Sequence, residues 1–450
     1  MTHCNGLLKL AMSVSGSVIG AMFGLALATS VAWSDLIGHG GMVHGVAISP
    51  DGGQVLTASF DYTARLWAFT TQTELGVLDA HTGPVNAAVF SPDGQTALTA
   101  SDDGVVLAWD VHRQRVIQRL KGHQARVVDV AVSPDGRLAA SAGWDTSARV
   151  WDLSNGKEIW RFGHDADPNA VVFSRQSTVI YCGLKDGAIA VWDVATGRRV
   201  HQFPAHDMAV THLAVSPDGT LIASAGIDGT VRLWRASDYA EQHVLRTDKG
   251  PIHAAVFSPD GRRIASAGHD GRVMIWPLGD ERLPRLIGTH EGPVWDVAWT
   301  PDGRFVLSSS SDESVRVWHV ESGDRIGEAR AHATGTEPWL TSKHPGAKIY
   351  RACAGCHGID PEDSHRSGPH FAGIFGRRAG SLPDYNYSEA LRRATFVWNA
   401  QTLQALFEKG PDSFLPGTKM PLQRIPSRAD RDALVDYLYM ITNEAHTNEH

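Results

Sequence analysis

From about residue 39 to residue 325 the chain repeats one pattern, short apolar runs broken at regular intervals by turn residues. In GHQARVVDVAVSPDGRLAASAGWDTSARVWDL, residues 122–153, apolar and polar positions alternate, and the alternation breaks at Ser133-Pro134-Asp135-Gly136 and again at Asp145. Alternation of period two puts successive side chains on opposite faces of a strand. Pro presets φ for a tight turn and Gly accepts a positive φ, so the stretch predicts short antiparallel strands joined by hairpins. Trp67, Trp109, Trp151, Trp192, Trp234, Trp276 and Trp318 follow one another at intervals of 42, 42, 41, 42, 42 and 42 residues. Seven contiguous units of four strands each predict an all-β seven-bladed β-propeller over residues 33–326.

After Trp318 the period stops. Residues 327–344 lose the alternation and carry Thr, Pro, Gly and charge, as a linker does. Residues 345–443 then read as a second, all-α domain, helix and loop by turns, followed by a tail at 444–450. In GAKIYRACAGCHG, Ile349, Tyr350, Cys353 and Cys356 fall at spacings that share one helix face. In SRADRDALVDYLYMIT a Ser stands at the start, and Leu434, Tyr437 and Leu438 form one stripe. These two amphipathic helices bracket the domain and are expected to pack together. The chain is therefore multidomain.

Residues 1–32 read differently. Lys9 precedes an uncharged stretch from Leu10 to Ser34 with small residues ahead of a cut after Ala32 or Ala28, the pattern of a secretory signal peptide. That stretch is also long enough to cross a bilayer, so an uncleaved anchor is the alternative. Either way the remainder is expected on the far side of a membrane, which in a bacterium is the periplasm.

Composition alters the picture little. The net charge of −8 speaks against a nucleic-acid partner. From residue 345 onward 12 Lys and Arg balance 12 Asp and Glu, so the acidic excess belongs to the first 344 residues. Of four cysteines, Cys4 lies in the leader, and Cys182 inside the repeats has no evident disulfide partner; it reads as small apolar packing.

The remaining pair carries chemistry. Cys353-x-x-Cys356-His357 has the spacing at which two thiols add to the vinyl groups of one haem while the next imidazole reaches the iron. The spacing alone also suits a redox dithiol or half of a zinc site. Met420 stands 63 residues beyond His357 in FLPGTKMPL, where a Gly-Pro loop can hold a thioether in a fixed place. A soft sulfur there would be the sixth ligand of a haem iron, which neither other reading explains. His365 and His370 are the next candidates for that position.

Two resemblances follow from these residues. The His, the Asp-containing turn and the closing Trp-Asp of VWDL, AWDV and VWDV resemble the WD40-repeat family over about residues 39–325. The resemblance implies a hydrogen-bonded set of His, Ser or Thr, Asp and Trp in each blade, such as His123, Ser141, Asp145 and Trp151, or His206, Ser224, Asp228 and Trp234. Repeat six departs with Asp248 in place of His, repeat four with Cys182 in place of Ser or Thr, and only repeats two to four keep the Asp after Trp. The last hundred residues resemble a class I cytochrome c of the mitochondrial and alphaproteobacterial type. That resemblance implies one covalent haem c on Cys353 and Cys356, iron ligation by His357 and Met420, and propionate contacts from Arg377 and Trp398. It extends to Gly368-Pro369, FGRRAGS from Phe375, and Tyr385 and Tyr387; in the helix packing Gly346 and Tyr350 answer Leu434 and Tyr437. Leu406 or Phe407 stands where the family places a Tyr beside the Met sulfur, a departure that bears on the tuning of the iron–sulfur bond.

The expected function is electron carriage, not enzymatic catalysis. A periplasmic c-type cytochrome would pass single electrons through its haem, with the propeller as a docking platform for a redox protein and membrane contact only through an uncleaved leader. The alternatives are a haem-containing reductase or reductase subunit, and a redox or gas sensor in which Met420 leaves the iron. One fold question stays open. The propeller ring needs its last blade completed, and two segments compete for that outer position: Trp33 to Ile37, and DRIGEARAH at 324–332. One slot is expected to hold one of them, and the N-terminal segment is favoured because it ties the two ends of the ring together.

Overall fold

The computed structural model describes residues 35–246, 249–279, 283–326, 342–354, 357–359, 369–383, 385, 387–416, 418 and 424–444. The leader, most of the predicted linker, Cys356, His365, Met420 and the final residues lie outside them. Strands run from Leu36 to Ile326 in seven antiparallel sheets, and each unit of the repeat supplies four strands in sequence order. The inner strands, Val43–Ile48, Val85–Phe90, Val127–Val132, Pro168–Phe173, Val210–Val215, Ile252–Phe257 and Val294–Trp299, stand side by side around an axis, and the last neighbours the first. The apolar face of each sheet meets the next blade; the two middle strands are buried almost throughout, the inner strands in part, and the outer strands are largely exposed.

Five blades hold the tetrad that the WD resemblance implies. In blade 3 the His123 ring N–H donates to Asp145 at 2.9 Å, the Ser141 hydroxyl meets the other ring nitrogen at 2.8 Å, and the Trp151 indole N–H donates to that same hydroxyl at 2.9 Å. Blades 1, 2, 5 and 7 repeat the arrangement through His39, His81, His206 and His290. The two departures break it in different ways. In blade 6 the Trp276 to Ser266 bond survives at 2.7 Å. In blade 4 Cys182 offers no hydroxyl, and both ring nitrogens of His164 and the Trp192 indole nitrogen are buried without a hydrogen-bond partner. Burial, helped by Arg199 and only partly opposed by Asp165 and Asp186, pulls the His164 imidazole down to about 4, so it stays neutral.

Replacing Cys182 with Ser should therefore stabilise the protein. One hydroxyl would bridge His164 and Trp192, and a buried hydrogen bond to otherwise unsatisfied groups contributes about 1 kcal/mol. The melting temperature should rise by roughly 2–4 °C, while Cys182→Ala should give no rise. An unchanged or lowered melt for the Ser variant would show that blade 4 cannot rebuild the set.

Around the axis every inner strand carries a bulge at one register position, occupied by His44, Asn86, Val128, Asn169, Thr211, His253 and Trp295. Several of these side chains bond to the backbone of the following blade: His44 donates to Asn86 O at 2.8 Å, Asn86 to Val127 O at 2.8 Å, Asn169 to Val210 O at 3.0 Å and Thr211 to Ile252 O at 2.7 Å. One residue further on, Asp129 and Asp296 do the same with carboxylates. Asp129 accepts from the Val171 N–H at 2.8 Å, and Asp296 from the Val46 N–H at 3.0 Å, which links blade 7 to blade 1.

Burial raises both carboxyls to about 7, and the charge of Asp296 adds to the shift at Asp129. A carboxyl whose folded-state value is raised contributes stability fully present below about 4 and lost as pH climbs through 7. The buried histidines work the other way, since their lowered values remove stability as pH falls below about 6.5. The carboxylate contribution is thus read from a difference: between pH 5 and 8 the double variant Asp129→Asn/Asp296→Asn should show a flatter decline in melting temperature than the wild type. Parallel profiles would refute the assignment.

Blade 7 corrects the expectation of a single closing segment. Both candidates occupy the slot, end to end along the same strand, Ser314–His319. Leu36 and Ile37 pair with Val315 and Ser314, while Arg325 and Ile326 pair with Trp318 and Val317. Each segment is two residues long, so the two share an edge that neither fills. Asp35 joins them: its carboxylate accepts from the Arg325 guanidinium, with Nε at 3.0 Å, and the Arg316 guanidinium lies 3.8 Å away. Leu36 is buried against Val315, Val317, Phe305 and Trp67.

The C-terminal domain comprises helices α1 (Pro345–Ala354), α2 (Glu389–Arg393), α3 (Ala400–Lys409), α4 (Pro411–Phe414) and α5 (Arg428–Glu444). As the amphipathic stripes predict, α1 packs across α5, with Tyr350 and Tyr437 fully buried and their rings 5.8 Å apart. Gly346 permits the close crossing, because a Cβ there would run into the Ala433 carbonyl oxygen and the Tyr437 side chain. Asn399 and Thr402 cap α3 reciprocally.

Candidate haem site

The C-terminal end of α1 delivers the chemistry. Cys353 lies in its last turn, buried among Tyr350, Phe371, Leu403 and Leu434, and burial pushes its thiol up to about 12. Such a thiol is a poor nucleophile towards solvent oxidants. The helical hydrogen bond continues past the helix: the His357 N–H donates to Cys353 O at 2.9 Å, and the Tyr350 hydroxyl donates to His357 O at 3.0 Å. His357 therefore sits one turn beyond Cys353 on a backbone held from two sides.

Its ring is oriented as well. The Nδ1–H donates to the Pro369 carbonyl at 2.8 Å, which fixes the tautomer and leaves the lone pair on Nε2. Phe371 stacks on the imidazole at 4.4 Å with planes 12° apart, and its N–H donates to Gly358 O at 2.7 Å, drawing the returning loop against the helix end. A hydrogen bond from the second nitrogen of a metal-ligating His to a carbonyl is the usual means of fixing ring orientation and raising basicity.

The predicted propionate partners meet on two adjacent chain segments. The Trp398 N–H donates to Arg377 O at 2.9 Å, the Gly376 N–H to Trp398 O at 2.8 Å, and Arg378 bridges Val397. The Arg377 guanidinium, half-buried, donates to His370 O at 2.7 Å and Ala372 O at 3.0 Å. Burial lowers its value, and the nearby Tyr387 opposes that shift. Phe396 lies edge-on to Trp398 at 4.8 Å. Leu406 and Phe407, the residues without a hydroxyl, are both in the core.

The residues present fit a haem. An imidazole with a fixed tautomer, a cysteine on the same helix end, a wall of Phe371, Ile374, Leu403 and Phe407, and a guanidinium anchored near one edge supply a ligand, an anchor, apolar surface and a counter-charge. Cys353, His357, Arg377 and Trp398 all belong to this one domain; Cys356 and Met420 lie outside the described residues. The Pro369 carbonyl and the stacked Phe371 were not derivable from spacing, because they depend on where the loop returns. The Pro at 369 was the only trace of the first.

The fold and this site together define a haem c protein, an electron carrier joined to a propeller of the kind that binds proteins. The chain belongs to the WD-repeat family, matching the WD domain, G-beta repeat at residues 29–68, 72–110, 114–152, 156–193, 197–235, 240–277 and 282–319, and residues 344–441 belong to the Cytochrome c family. Over 96 residues the C-terminal part is 40% identical to cytochrome c2 of Afifella marina, covering 21% of this chain and 77% of that protein. Over 94 residues it is 36% identical to cytochrome c of Sesamum indicum, covering 21% and 84%. Cytochrome c2 of Agrobacterium tumefaciens (strain II Chrys) is 38% identical over 96 residues, covering 21% and 86%.

Proposed function

We propose that this protein is a periplasmic one-electron carrier in which the propeller holds a redox partner and the tethered cytochrome exchanges electrons with it. When bound, the haem supplies a reversible iron(III)/iron(II) couple. Cys353 and Cys356 anchor it, His357 and Met420 ligate the iron, and Arg377 and Trp398 serve its propionates. The observation that carries the reading is His357, pinned through Nδ1 to Pro369 at the end of the helix that bears Cys353. Five of the propeller's histidines, His39, His81, His123, His206 and His290, recur at the period of the fold and are engaged in the tetrads. The propeller's contribution is proximity. Holding a partner on the same chain as the carrier replaces a bimolecular encounter with an effective concentration in the millimolar range for a short linker.

The test is spectroscopic. The exported protein should show one low-spin c-type haem that survives acid extraction, Cys353→Ser/Cys356→Ser should lose covalent attachment, and His357→Ala should lose the low-spin spectrum. Ready binding of carbon monoxide by the wild type, or a second chromophore, would overturn the carrier reading in favour of a sensor or an enzyme.

A further inference from the structure

The outer strands of the propeller are not alike. In blades 2, 3 and 4 the outer strands are Arg115–Lys121, Lys157–Gly163 and Arg199–Pro204. One side chain in two turns towards the next blade, where Gln118 donates to Leu153 O and Trp160 to Val194 O. The alternate positions face solvent. They read Arg115, Ile117, Arg119 and Lys121 in blade 2, Lys157, Ile159 and Arg161 in blade 3, and Arg198 and Val200 at and beside the start of the strand in blade 4. Equivalent places in register thus carry the same chemistry three times: cation, then aliphatic, then, in two blades, cation again. Ile117, Ile159 and Val200 are 46%, 43% and 52% exposed.

None of these cations is locked in an ion pair, although Arg115 stands opposite Asp110 in register and helps to lower its carboxyl. Arg65, Arg149, Arg232, Arg263, Arg316 and Arg325 all form ion pairs, whereas none of Arg115, Arg119, Lys121, Lys157, Arg161 and Arg198 does among the described residues. The carboxylates nearest in sequence are already bound. Asp110 pairs with Arg113 at 2.8 Å, Asp152 accepts from the Ser154 N–H at 2.8 Å, and Asp193 from the Thr196 N–H at 2.7 Å. Over residues 35–326 the sequence holds 26 Lys and Arg against 35 Asp and Glu, so the flank is a local reversal of sign on an acidic body.

A charge placed to discourage edge-to-edge aggregation is the ordinary reason for a basic outer strand. That explanation predicts guards on every open edge. Blade 1 instead presents Thr73, Leu75 and Val77, and blade 5 presents Ala240, Gln242 and Val244, with a cation only at Arg246, the register equivalent of Lys121. Blade 6 also begins its outer strand with Arg285 and the exposed Leu286, but that guanidinium is bound to the Val320 and Glu321 carbonyls; the open succession runs over three consecutive blades, which include the two longest outer strands, seven residues each. Anionic lipid would also suit the charge, but interfacial binding recruits Trp, Tyr or Phe, and the exposed apolar residues here are aliphatic. Arginine forks match carboxylates in bidentate geometry, and an open strand edge offers backbone groups for an added strand.

We propose that the outer flank of blades 2–4 is a docking surface for an acidic segment of a protein partner, its Asp or Glu side chains answering the rows of Arg115, Lys157 and Arg198 and of Arg119 and Arg161, and its small apolar residues meeting Ile117, Ile159 and Val200. This rests on the reading that the propeller holds a partner, and it gives that partner a chemistry.

The test uses the full-length haem-loaded protein. The probes are a capped twelve-residue peptide of alternating Glu and Val, the same peptide with Lys for Glu, and vesicles of equal parts phosphatidylglycerol and phosphatidylcholine. Wild type should bind the Glu peptide, more weakly as salt rises, and should not bind the Lys peptide. The variant Arg115→Glu/Arg119→Glu/Arg161→Glu should bind the Glu peptide at least tenfold more weakly. A control of equal charge, Arg175→Glu/Arg246→Glu/Arg262→Glu, should lose less than threefold. Absence of Glu-peptide binding, equal losses in the two variants, or a response to vesicles alone overturns the proposal. The haem spectrum of the same samples separates the two readings: a normal spectrum without peptide binding sinks the docking surface and leaves the electron carrier standing.

Discussion

Alanine in place of Met420 is expected to abolish the weak long-wavelength absorbance of a sulfur–iron bond, lower the midpoint potential and admit carbon monoxide to the iron. Axial ligation sets haem potentials over a range of about 0.8 V, and a thioether lies towards its upper end. The fall should amount to a tenth of that range or more. His357 is held through the Pro369 carbonyl, by Tyr350 behind its own backbone and by the Phe371 ring. None of these depends on residue 420, so the proximal geometry should survive the substitution and the effect should be confined to the sixth position. Unchanged potential and closed iron in Met420→Ala would point to another ligand, with His365 and His370 tested next by the same substitution. Leu406 and Phe407 give a further reading. Neither can donate a hydrogen bond to a thioether, so Leu406→Tyr in the wild-type background should move the potential without opening the iron.

Leu36→Ala should lower the melting temperature of the propeller by roughly 6–12 °C. A buried Leu truncated to Ala costs about 3 kcal/mol where the surroundings cannot collapse, and a unit of this size loses about 2–4 °C per kcal/mol. Leu36 fills the junction between the last blade and the first, against Val315, Val317 and Trp67, in a strand anchored by only two residue pairs. Ile37 is the internal comparison: it is exposed on the same strand, and Ile37→Ser should change stability by no more than about 0.5 kcal/mol. Asp35→Ala strands the partly buried guanidinium of Arg325, and a double-mutant cycle with Arg325→Ala should return a coupling of 1 kcal/mol or more. Additive effects in that cycle would mean that the two ends of the ring are merely adjacent.

The propeller was legible because it repeats. Seven tryptophans at one period announce seven blades, and the substitution of Cys182 for a hydroxyl residue marks in advance the blade in which His164 and Trp192 go without partners. The seam was legible only in part: both closing segments could be named, but not that they share one edge. A strand of two residues is shorter than any window in which alternation can be recognised, and the sharing of one edge by two such strands is a property of the closed ring alone. Asp129 and Asp296 escaped for a related reason. They occupy a position held elsewhere by Gly45, Ala87, Ala170, His212 and Ala254, and nothing in a strand pattern says that this position bonds to the next blade. In the haem site the spacing of Cys353, Cys356 and His357 names the cofactor only together with the distant Met420, since the spacing alone also suits a dithiol or a zinc site. The neighbours that orient His357 come from a returning loop whose path the sequence does not state.

The seam also sets an order in time. Asp35 and Arg325 are separated by 290 residues, so the first strand of the ring has no edge to pair with until almost the whole propeller has been synthesised. Blades 1 to 6 can each form from their own four strands as they emerge, whereas blade 7 must wait for both ends of the chain. Ring closure is consequently the last step of propeller folding, and it falls due as the Cys353–His357 segment follows in synthesis. The birth of the ring and the arrival of the haem-binding helix belong to the same moment in the life of the chain.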